Sequence, residues 1–314
     1  MINRSTAAVR HSASMLVLVM ALPFAGAQVA FAAPPGDFPF GVYDPEGRFG
    51  EDTEVTIEHL FLPWEDVLLE SLLDADAYAL ARGRTVLVTI EPWSWSPSDR
   101  NTSEQLIAGI NSGRYDANVT EICRILSQFK SPVTIRWAQE MEDASGQFIW
   151  ADWEPQTYID AYRRVVDLCR SMTDQVEGLE FDYMWSPLGL EGFEAYYPGD
   201  DYVDVVGLSV FGLQNWEQDV LGEEQSFRSI LTPRYERALA FGLPIVVAEL
   251  GYVGDSAYVE KWNNDVRQDL DGFPELKAVV YFAQTEVYPW PDGYGLPDWR
   301  IPENILPEGG ADSN

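Results

Sequence analysis

Two glutamates each end an apolar run of this chain, and residues of this type in this setting can do acid–base chemistry. Glu140 ends the stretch TIRWAQE at 134–140, and Glu249 ends the stretch PIVVAE at 244–249. A single Glu after a strand is more often solvated or ion-paired, because burying an unpaired carboxylate is costly. Two carboxyls, one protonated and one ionised, are what the cleavage of a glycosidic bond requires. The pair therefore favours a catalytic interpretation.

The overall composition also favours carboxylate chemistry. The chain has 51 acidic residues against 20 basic ones, two histidines and two cysteines, and its net charge is −31. The small number of histidines and cysteines disfavours a His-rich zinc site. We therefore expect no metal and no cofactor. Such a negative surface repels nucleic acid and anionic lipid, whereas a neutral polysaccharide is not repelled. The expected partner is therefore a neutral polysaccharide substrate.

The first 32 residues have the pattern of a secretory signal peptide. Arg4 and Arg10 give a basic start, an apolar run covers 15–27, and AFA at 30–32 offers a small-x-small cleavage site. The apolar run is too short to span a bilayer, so stable membrane insertion is not expected. The sequence thus predicts a secreted or periplasmic protein whose single domain is 33–314, with a net charge of about −33 because two basic residues are removed. A monomer is expected.

Eight short β-branched runs alternate with amphipathic segments. The runs lie at 39–45, 55–62, 85–93, 131–141, 179–189, 203–212, 244–251 and 276–284, and the clearest helical patterns lie at 64–83, 117–130, 154–172 and 232–242. Eight strands alternating with helices over one domain predict an α/β fold, a (β/α)8 TIM barrel. An open doubly wound sheet is the alternative, but no Gly-rich phosphate loop follows the first run.

Functional residues of such barrels lie at the C-terminal ends of the strands. The residues at these ends are Asp44, His59, Glu91 with Trp93, Glu140, Trp185, Phe211, Glu249 and Gln284. Glu140 after the fourth run and Glu249 after the seventh are therefore expected to face each other across the mouth of the barrel.

Several motifs resemble glycoside hydrolase family 26, the β-mannanase family of retaining barrel enzymes. They read RWAQEM…GQFIW, YYPGDDYVDVVGLSVFG, PIVVAELG and DWRI, and the likeness runs from about Phe40 to Ile301. The resemblance implies that Glu140 is the general acid/base and Glu249 the nucleophile. It also implies that Arg136 steadies the carboxylates by charge-assisted hydrogen bonds.

The chain departs from that family at three positions near the site. Gln139 stands where the family usually has His, Glu142 where it has Asn, and Phe211 where it has Tyr. Mannan is the substrate that the resemblance implies, and a mixed-linkage β-glucan or an exopolysaccharide is the alternative. A noncatalytic carbohydrate-binding barrel is a further alternative, but it would not need both glutamates. A metal-dependent barrel hydrolase is a third, which the scarcity of histidine disfavours.

The remaining candidates have competing structural interpretations. Any of Trp93, Trp95, Trp150, Trp185 and Trp290 can belong to the core or stack on a sugar; Trp150 and Trp290 are the preferred platforms. His59 is expected to be structural or at the cleft edge, and Glu91 either lines the cleft or forms an ion pair. Cys123 and Cys169 fall on consecutive predicted helices, and two buried thiols are favoured over a disulfide.

Overall fold

The fold is a closed barrel of eight parallel strands. The computed structural model describes residues 38–301, 303 and 305, so the predicted signal peptide lies outside the described residues. The strands are β1 (Phe40–Tyr43), β2 (Val55–Glu65), β3 (Thr85–Ser94), β4 (Val133–Trp137), β5 (Asp182–Trp185), β6 (Val205–Leu213), β7 (Ile245–Val253) and β8 (Leu276–Phe282). Each strand pairs with the next along the chain, and β8 closes on β1. The predicted (β/α)8 barrel is confirmed.

Helices follow most of the strands. The longer ones are α1 (Ser71–Ala81), α2 (Ser103–Asn111), α3 (Asp116–Leu126), α4 (Pro155–Thr173), α5 (Phe227–Ala238) and α6 (Ser256–Gln268). The helix predicted at 64–83 begins later in the structure. β2 continues to Glu65, where it still pairs with Ser94 of β3, and α1 begins only at Ser71. Within the described part of the chain, no helix is both long and apolar enough to cross a bilayer.

Three apolar clusters lie within the described residues of the barrel. A large one packs the outward faces of the strands against the helices. A small one is made of strand residues alone and fills the inside of the barrel: Leu87, Met184, Val246, Ala248, Ala278 and Val280. Because strand side chains alternate between the two faces, β3, β5, β7 and β8 contribute to both of these clusters. The C-terminal side of the barrel above this small cluster carries the polar residues of the site and the third cluster, made of Leu213, Val253, Phe282 and Trp299.

Helices α3 and α4 are joined by a disulfide between Cys123 and Cys169. Both side chains are fully buried, and their Cα atoms are 5.1 Å apart. The expectation of two free thiols was therefore wrong. Both cysteines lie on the buried faces of these adjacent helices, and this brings them within bonding range. Sequence spacing alone did not reveal the helix-to-helix register that aligns them.

Candidate active site

Glu140 reaches the mouth of the barrel through a strained turn. β4 ends at Trp137, earlier than the predicted run, and both Ala138 and Glu140 then adopt positive φ, 48° and 57°. For residues other than Gly this conformation costs on the order of 1–3 kcal/mol each. Neighbouring strands hold the turn, because the Ala138 N–H donates to Ile90 O at 3.2 Å and the Glu140 N–H to Ser186 O at 2.8 Å. The Glu140 carboxyl is consequently buried, 9% exposed.

Glu249 faces the inside of the barrel because of a bulge in β7. Val247 pairs with Leu208 of β6, but the next β6 residue, Ser209, pairs with Glu249, so Ala248 is an extra residue. Ala248 already belongs to the inner cluster. The bulge shifts the alternation of side chains by one position, so that Glu249 also points inward. A shift of this kind is a common way to aim a functional side chain.

Two donors hold the two carboxyls. Arg136 on β4 is fully buried and crosses the barrel to β7, where its Nη1 donates to Glu249 Oε1 at 2.6 Å. Its Nη1 also donates to Thr89 Oγ1 at 3.3 Å. Ser209 Oγ donates to Glu140 Oε1 at 2.5 Å. Since Ser209 is the register partner of Glu249, one backbone pair links the two carboxyl groups.

The two carboxyls have unequal electrostatic surroundings. Burial raises the pKa of Glu140 to about 8, the nearby charge of Glu249 adds to the rise, and the Ser209 hydrogen bond opposes it. Burial also raises the pKa of Glu249, but the charge and hydrogen bond of Arg136 oppose that rise. A buried guanidinium favours the ionised form far more than a neutral hydroxyl does. When the pair holds one proton, that proton therefore resides on Glu140.

A third carboxyl, Glu91, lies beside this pair. It accepts hydrogen bonds from Gln139 Nε2 at 3.2 Å and from Trp93 Nε1 at 3.0 Å. Burial raises the pKa of Glu91 to about 7, and these two hydrogen bonds restrain the rise. Of the two interpretations that the sequence left open, the cleft lining agrees with this geometry, since both of these partners are neutral.

His59 and Tyr43 complete the wall on the side of β1 and β2. His59 is 1% exposed, and its Nε2 lies 2.7 Å from Thr89 Oγ1. Burial lowers the pKa of His59 well below its usual value, and the charge of Arg136 contributes. The imidazole is therefore neutral and structural, as expected. Burial raises the pKa of Tyr43 to about 12, and the charges of Glu91 and Glu249 add to the rise, so the phenol stays protonated.

The arrangement of these carboxyls accords with a comparison of the sequence with known families. Residues 102–238 match the family model described as glycosyl hydrolase family 26. Over this stretch the chain is similar to that family. Solved members share its fold: a β-mannanase of the family from Bacteroides ovatus superposes with a TM-score of 0.54 at 18% identity, covering 80% of this chain and 81% of that one. GH26C from a Muricauda species gives 0.61 at 13% identity over 78% of each chain.

Curated relatives are similar over a shorter stretch. A β-1,3-xylanase from a Vibrio species is 30% identical over 114 residues, 36% of this chain and 24% of the relative. A β-1,3-xylanase from an Alcaligenes species is 29% identical over the same number of residues. The chain therefore matches about a quarter of the length of these relatives.

Two of the departures from the usual family 26 pattern have structural consequences. Glu142 accepts hydrogen bonds from the backbone N–H groups of Leu188, Gly189 and Leu190, at 3.2, 2.6 and 3.0 Å. It therefore anchors the segment after β5 and does not face the catalytic pair. Phe211 lies partly exposed on β6, and its ring packs over Gly251, where a Cβ would approach within 2.8 Å of that ring.

The two preferred tryptophan platforms differ in exposure. Trp150 has no exposed surface; its Nε1 donates to Gln139 O at 2.8 Å, and its ring stacks on Phe148. A platform needs a free face, so the choice of Trp150 as a sugar contact was wrong, and this residue instead positions the backbone before Glu140. Trp290 is partly exposed and lies 6.3 Å from Phe211, ring to ring. It keeps a face for a ligand.

Ser209 is a site residue that sequence reasoning missed. It is a single small polar residue within the apolar run VVGLSVFG, and it is fully buried. Such an isolated hydroxyl in a core strand needs a hydrogen-bond partner, and this was the available signal. Among residues 38–301, 303 and 305, no group of three or more histidine, cysteine or acidic residues is arranged to hold a metal ion.

Proposed function

We propose that this protein is a retaining glycoside hydrolase that cleaves internal bonds of a neutral β-linked polysaccharide. Glu249 is the nucleophile and Glu140 the general acid/base. The observation that supports these roles is the difference between their donors. Arg136 donates a hydrogen bond to Glu249 at 2.6 Å, whereas Glu140 accepts a hydrogen bond from the Ser209 hydroxyl. One carboxyl is thus kept ionised and the other protonated, as this reaction requires.

In the first step, Glu140 donates its proton to the glycosidic oxygen as the bond to the anomeric carbon breaks. Glu249 attacks that carbon and forms a covalent glycosyl ester, and the protonated leaving chain departs. In the second step, the Glu140 carboxylate takes a proton from water, and the water oxygen displaces Glu249. Both residues then regain their starting protonation states, and the configuration at the anomeric carbon is retained.

Two substitutions test these roles separately. Glu249→Ala should abolish turnover of polymer. Glu140→Ala should also stop polymer cleavage but still form the glycosyl ester from an aryl glycoside with a good leaving group, because that departure needs no proton. Proton NMR of the first-formed product should show the retained anomer. An inverted product, or a Glu249→Ala variant with near wild-type activity, contradicts the proposal.

Glu58 provides a matched control for these variants. It is a buried carboxyl that accepts a hydrogen bond from Arg84 Nη1 at 2.7 Å, away from the catalytic pair, where Arg84 immediately precedes β3. Glu58→Gln removes the charge of a similar Glu–Arg pair outside the site. It should lower stability and leave the turnover of the folded enzyme intact, so a general folding defect can be recognised.

The identity of the polysaccharide is a separate part of the proposal. The curated relatives at about 30% identity are β-1,3-xylanases, so β-1,3-xylan is the first candidate. Mannan is the candidate that the family resemblance implies, and mixed-linkage β-glucan is the third. Reducing-sugar release from β-1,3-xylan, mannan, lichenan and cellulose, with sizing of the products, distinguishes these substrates. Binding to one of them without any release of sugar would support a noncatalytic binding barrel instead.

We also propose that the protein is exported and that its mature chain begins at or near Ala33. The proposal is supported by the basic start, the apolar run and the AFA site in residues 1–32. N-terminal sequencing of protein recovered from the periplasm or the medium tests it. An intact Met1 on exported material would contradict the cleavage.

A further inference from the structure

A continuous row of aromatic rings lies along one side of the barrel mouth. We call the following six residues the aromatic row: Phe61, Tyr43, Phe282, Phe211, Trp290 and Trp216. Taken in that order, successive ring centroids are 4.7, 5.2, 6.3, 6.3 and 6.1 Å apart. All of them are partly exposed except Phe282, which is 9% exposed. A row of this kind can contact several consecutive sugar units.

The outer end of the row is built by two segments that hydrogen bond to each other. Trp216 lies in the short helical turn after β6, and its Nε1 donates to Asp292 Oδ2 at 3.0 Å in the segment after β8. Tyr294 in that second segment donates from its hydroxyl to Asp219 Oδ2 at 2.8 Å. These reciprocal bonds hold the indoles of Trp216 and Trp290 at an interplanar angle of 76°. The platform is therefore fixed before any ligand binds, which lowers the entropic cost of binding.

The row lies on the side of the mouth that carries Glu249. Its members come from β1, β2, β6 and β8 and from the segments after β6 and β8, and β7 with Glu249 lies between β6 and β8. Phe211 pairs with Gly251, two residues beyond Glu249. Glu140 follows β4, which is opposite β8 in the closed barrel. The row and the acid/base are thus on opposite sides of the site.

In a double displacement the two carboxyls act on different parts of the substrate. The sugar chain on the non-reducing side of the cleaved bond, the glycone, becomes bonded to the nucleophile, while the leaving chain departs on the side of the acid. We propose that the aromatic row binds the glycone chain and that Trp216 is its outermost stacking residue. This inference rests on the proposed function, because it assumes that Glu249 is the nucleophile.

The proposal determines where short substrates are cut. An oligosaccharide gains most by placing its units along the aromatic row, since each stacked ring removes apolar surface from water. It then extends only a short distance past Glu140. The enzyme should therefore cleave a labelled hexasaccharide near its reducing end and release short reducing-end fragments.

The experiment uses hexasaccharides labelled at the reducing end, prepared from whichever polymer the wild-type enzyme cleaves. Trp216→Ala should lower kcat/KM by about tenfold, on the scale of losing one buried aromatic contact. It should also move the cut away from the reducing end. Trp216→Phe keeps an aromatic ring, so its kcat/KM and its cleavage position should lie between those of the wild type and Trp216→Ala. Circular dichroism and thermal melting establish that each variant is folded.

Trp95 provides the matched control for loss of an indole. It is 68% exposed and directly follows β3, which lies three strands around the barrel from β6, the strand before Trp216. Trp95→Ala should not move the cut away from the reducing end. The proposal is wrong if Trp216→Ala leaves the cleavage pattern unchanged, or if both variants move the cut in the same direction. A wild-type enzyme that cleaves no polymer refutes the proposed function, and this inference with it.

Discussion

Ser209 Oγ donates a hydrogen bond to Glu140 Oε1 at 2.5 Å, while the backbone of Ser209 pairs with that of Glu249. The guanidinium of Arg234 donates to Ser209 O and holds this strand position from the outside of the barrel. A hydroxyl that donates to a carboxylate stabilises its ionised form. Ser209 therefore limits how far burial raises the pKa of Glu140.

Ser209→Ala should raise the pKa of Glu140 further, because the donor to the ionised form is lost. The alkaline limb of kcat/KM should move to higher pH, since the general acid keeps its proton longer. Ser186→Ala is the matched control: Ser186 is also fully buried, and its hydroxyl has no hydrogen-bond partner among the described residues. A shift to lower pH for Ser209→Ala, or an equal shift in both variants, would contradict this role.

The raised pKa of Glu140 also predicts how stability depends on pH. The pKa rises from 4.5 to about 8 on folding, so between these values the native state binds more protons than the unfolded state. The stability of the wild-type protein should therefore fall as pH rises through this window. Glu140→Gln removes the titration. The free energy of unfolding of this variant, minus that of the wild type, should increase between pH 4.5 and pH 8 by an amount on the order of a few kcal/mol.

Urea unfolding of both proteins at several pH values measures this difference. Glu51→Gln, at a carboxyl whose side chain is 99% exposed, controls for the general effect of removing one negative charge. A constant difference between Glu140→Gln and wild type across the window would show that Glu140 does not change its pKa on folding.

The positive φ of Glu140 predicts an unusual order of stability. With φ at 57°, a side chain at this position is strained and Gly is not. Glu140→Gly should therefore be more stable than Glu140→Ala by about 1 kcal/mol, measured by urea unfolding. At Thr134, within β4, the same pair of substitutions should give the ordinary order, with Gly less stable than Ala. Finding the ordinary order at both positions would remove the evidence for strain.

The sequence predicted the fold and much of the site for identifiable reasons. Alternating strands and helices are a local pattern, and the carboxyls of Glu140 after β4 and Glu249 within β7 are visible as charges that interrupt apolar runs. Other features depend on tertiary register. The local sequence does not predict the bulge at Ala248 or the turn at Ala138. It also does not distinguish a tryptophan that faces the cleft from one that is buried in the core, such as Trp150.

The disulfide between Cys123 and Cys169 should make a large contribution to stability. It links residues separated by 46 positions, and closing a loop of that size stabilises the native state by about 4 kcal/mol in the chain-entropy account. Reduction, or substitution of both cysteines by Ser, should lower the free energy of unfolding by about that amount. Adding a reductant to the double variant should have no further effect. Equal unfolding midpoints for oxidised and reduced wild type would contradict a formed bond.

Gln139 is expected to influence which sugar is accepted at the cleavage position. Its side chain is 1% exposed and donates to Glu91, and its Oε1 has no partner within residues 38–301. It directly precedes Glu140, so we expect it to lie beside the sugar whose glycosidic bond is cleaved. Mannose and glucose differ only in the direction of the 2-hydroxyl, and hydrogen bonds to that hydroxyl strengthen in the transition state. An amide with a free acceptor oxygen can hydrogen bond to a 2-hydroxyl in an orientation that a histidine ring nitrogen does not favour.

Gln139→His should therefore shift the ratio of kcat/KM for mannan to that for β-glucan towards mannan, by about 1–3 kcal/mol, the scale of one recognition contact. The side chain acts together with Glu91, so Glu91→Gln provides the comparison. It keeps the shape, loses a strong acceptor, and should weaken cleavage of both polymers without the same change in their ratio. A wild-type enzyme that cleaves mannan efficiently and ignores every β-glucan would refute the relaxed selectivity of Gln139. The roles of Glu140 and Glu249 would be unaffected, because they depend on Arg136 and Ser209 and not on the amide.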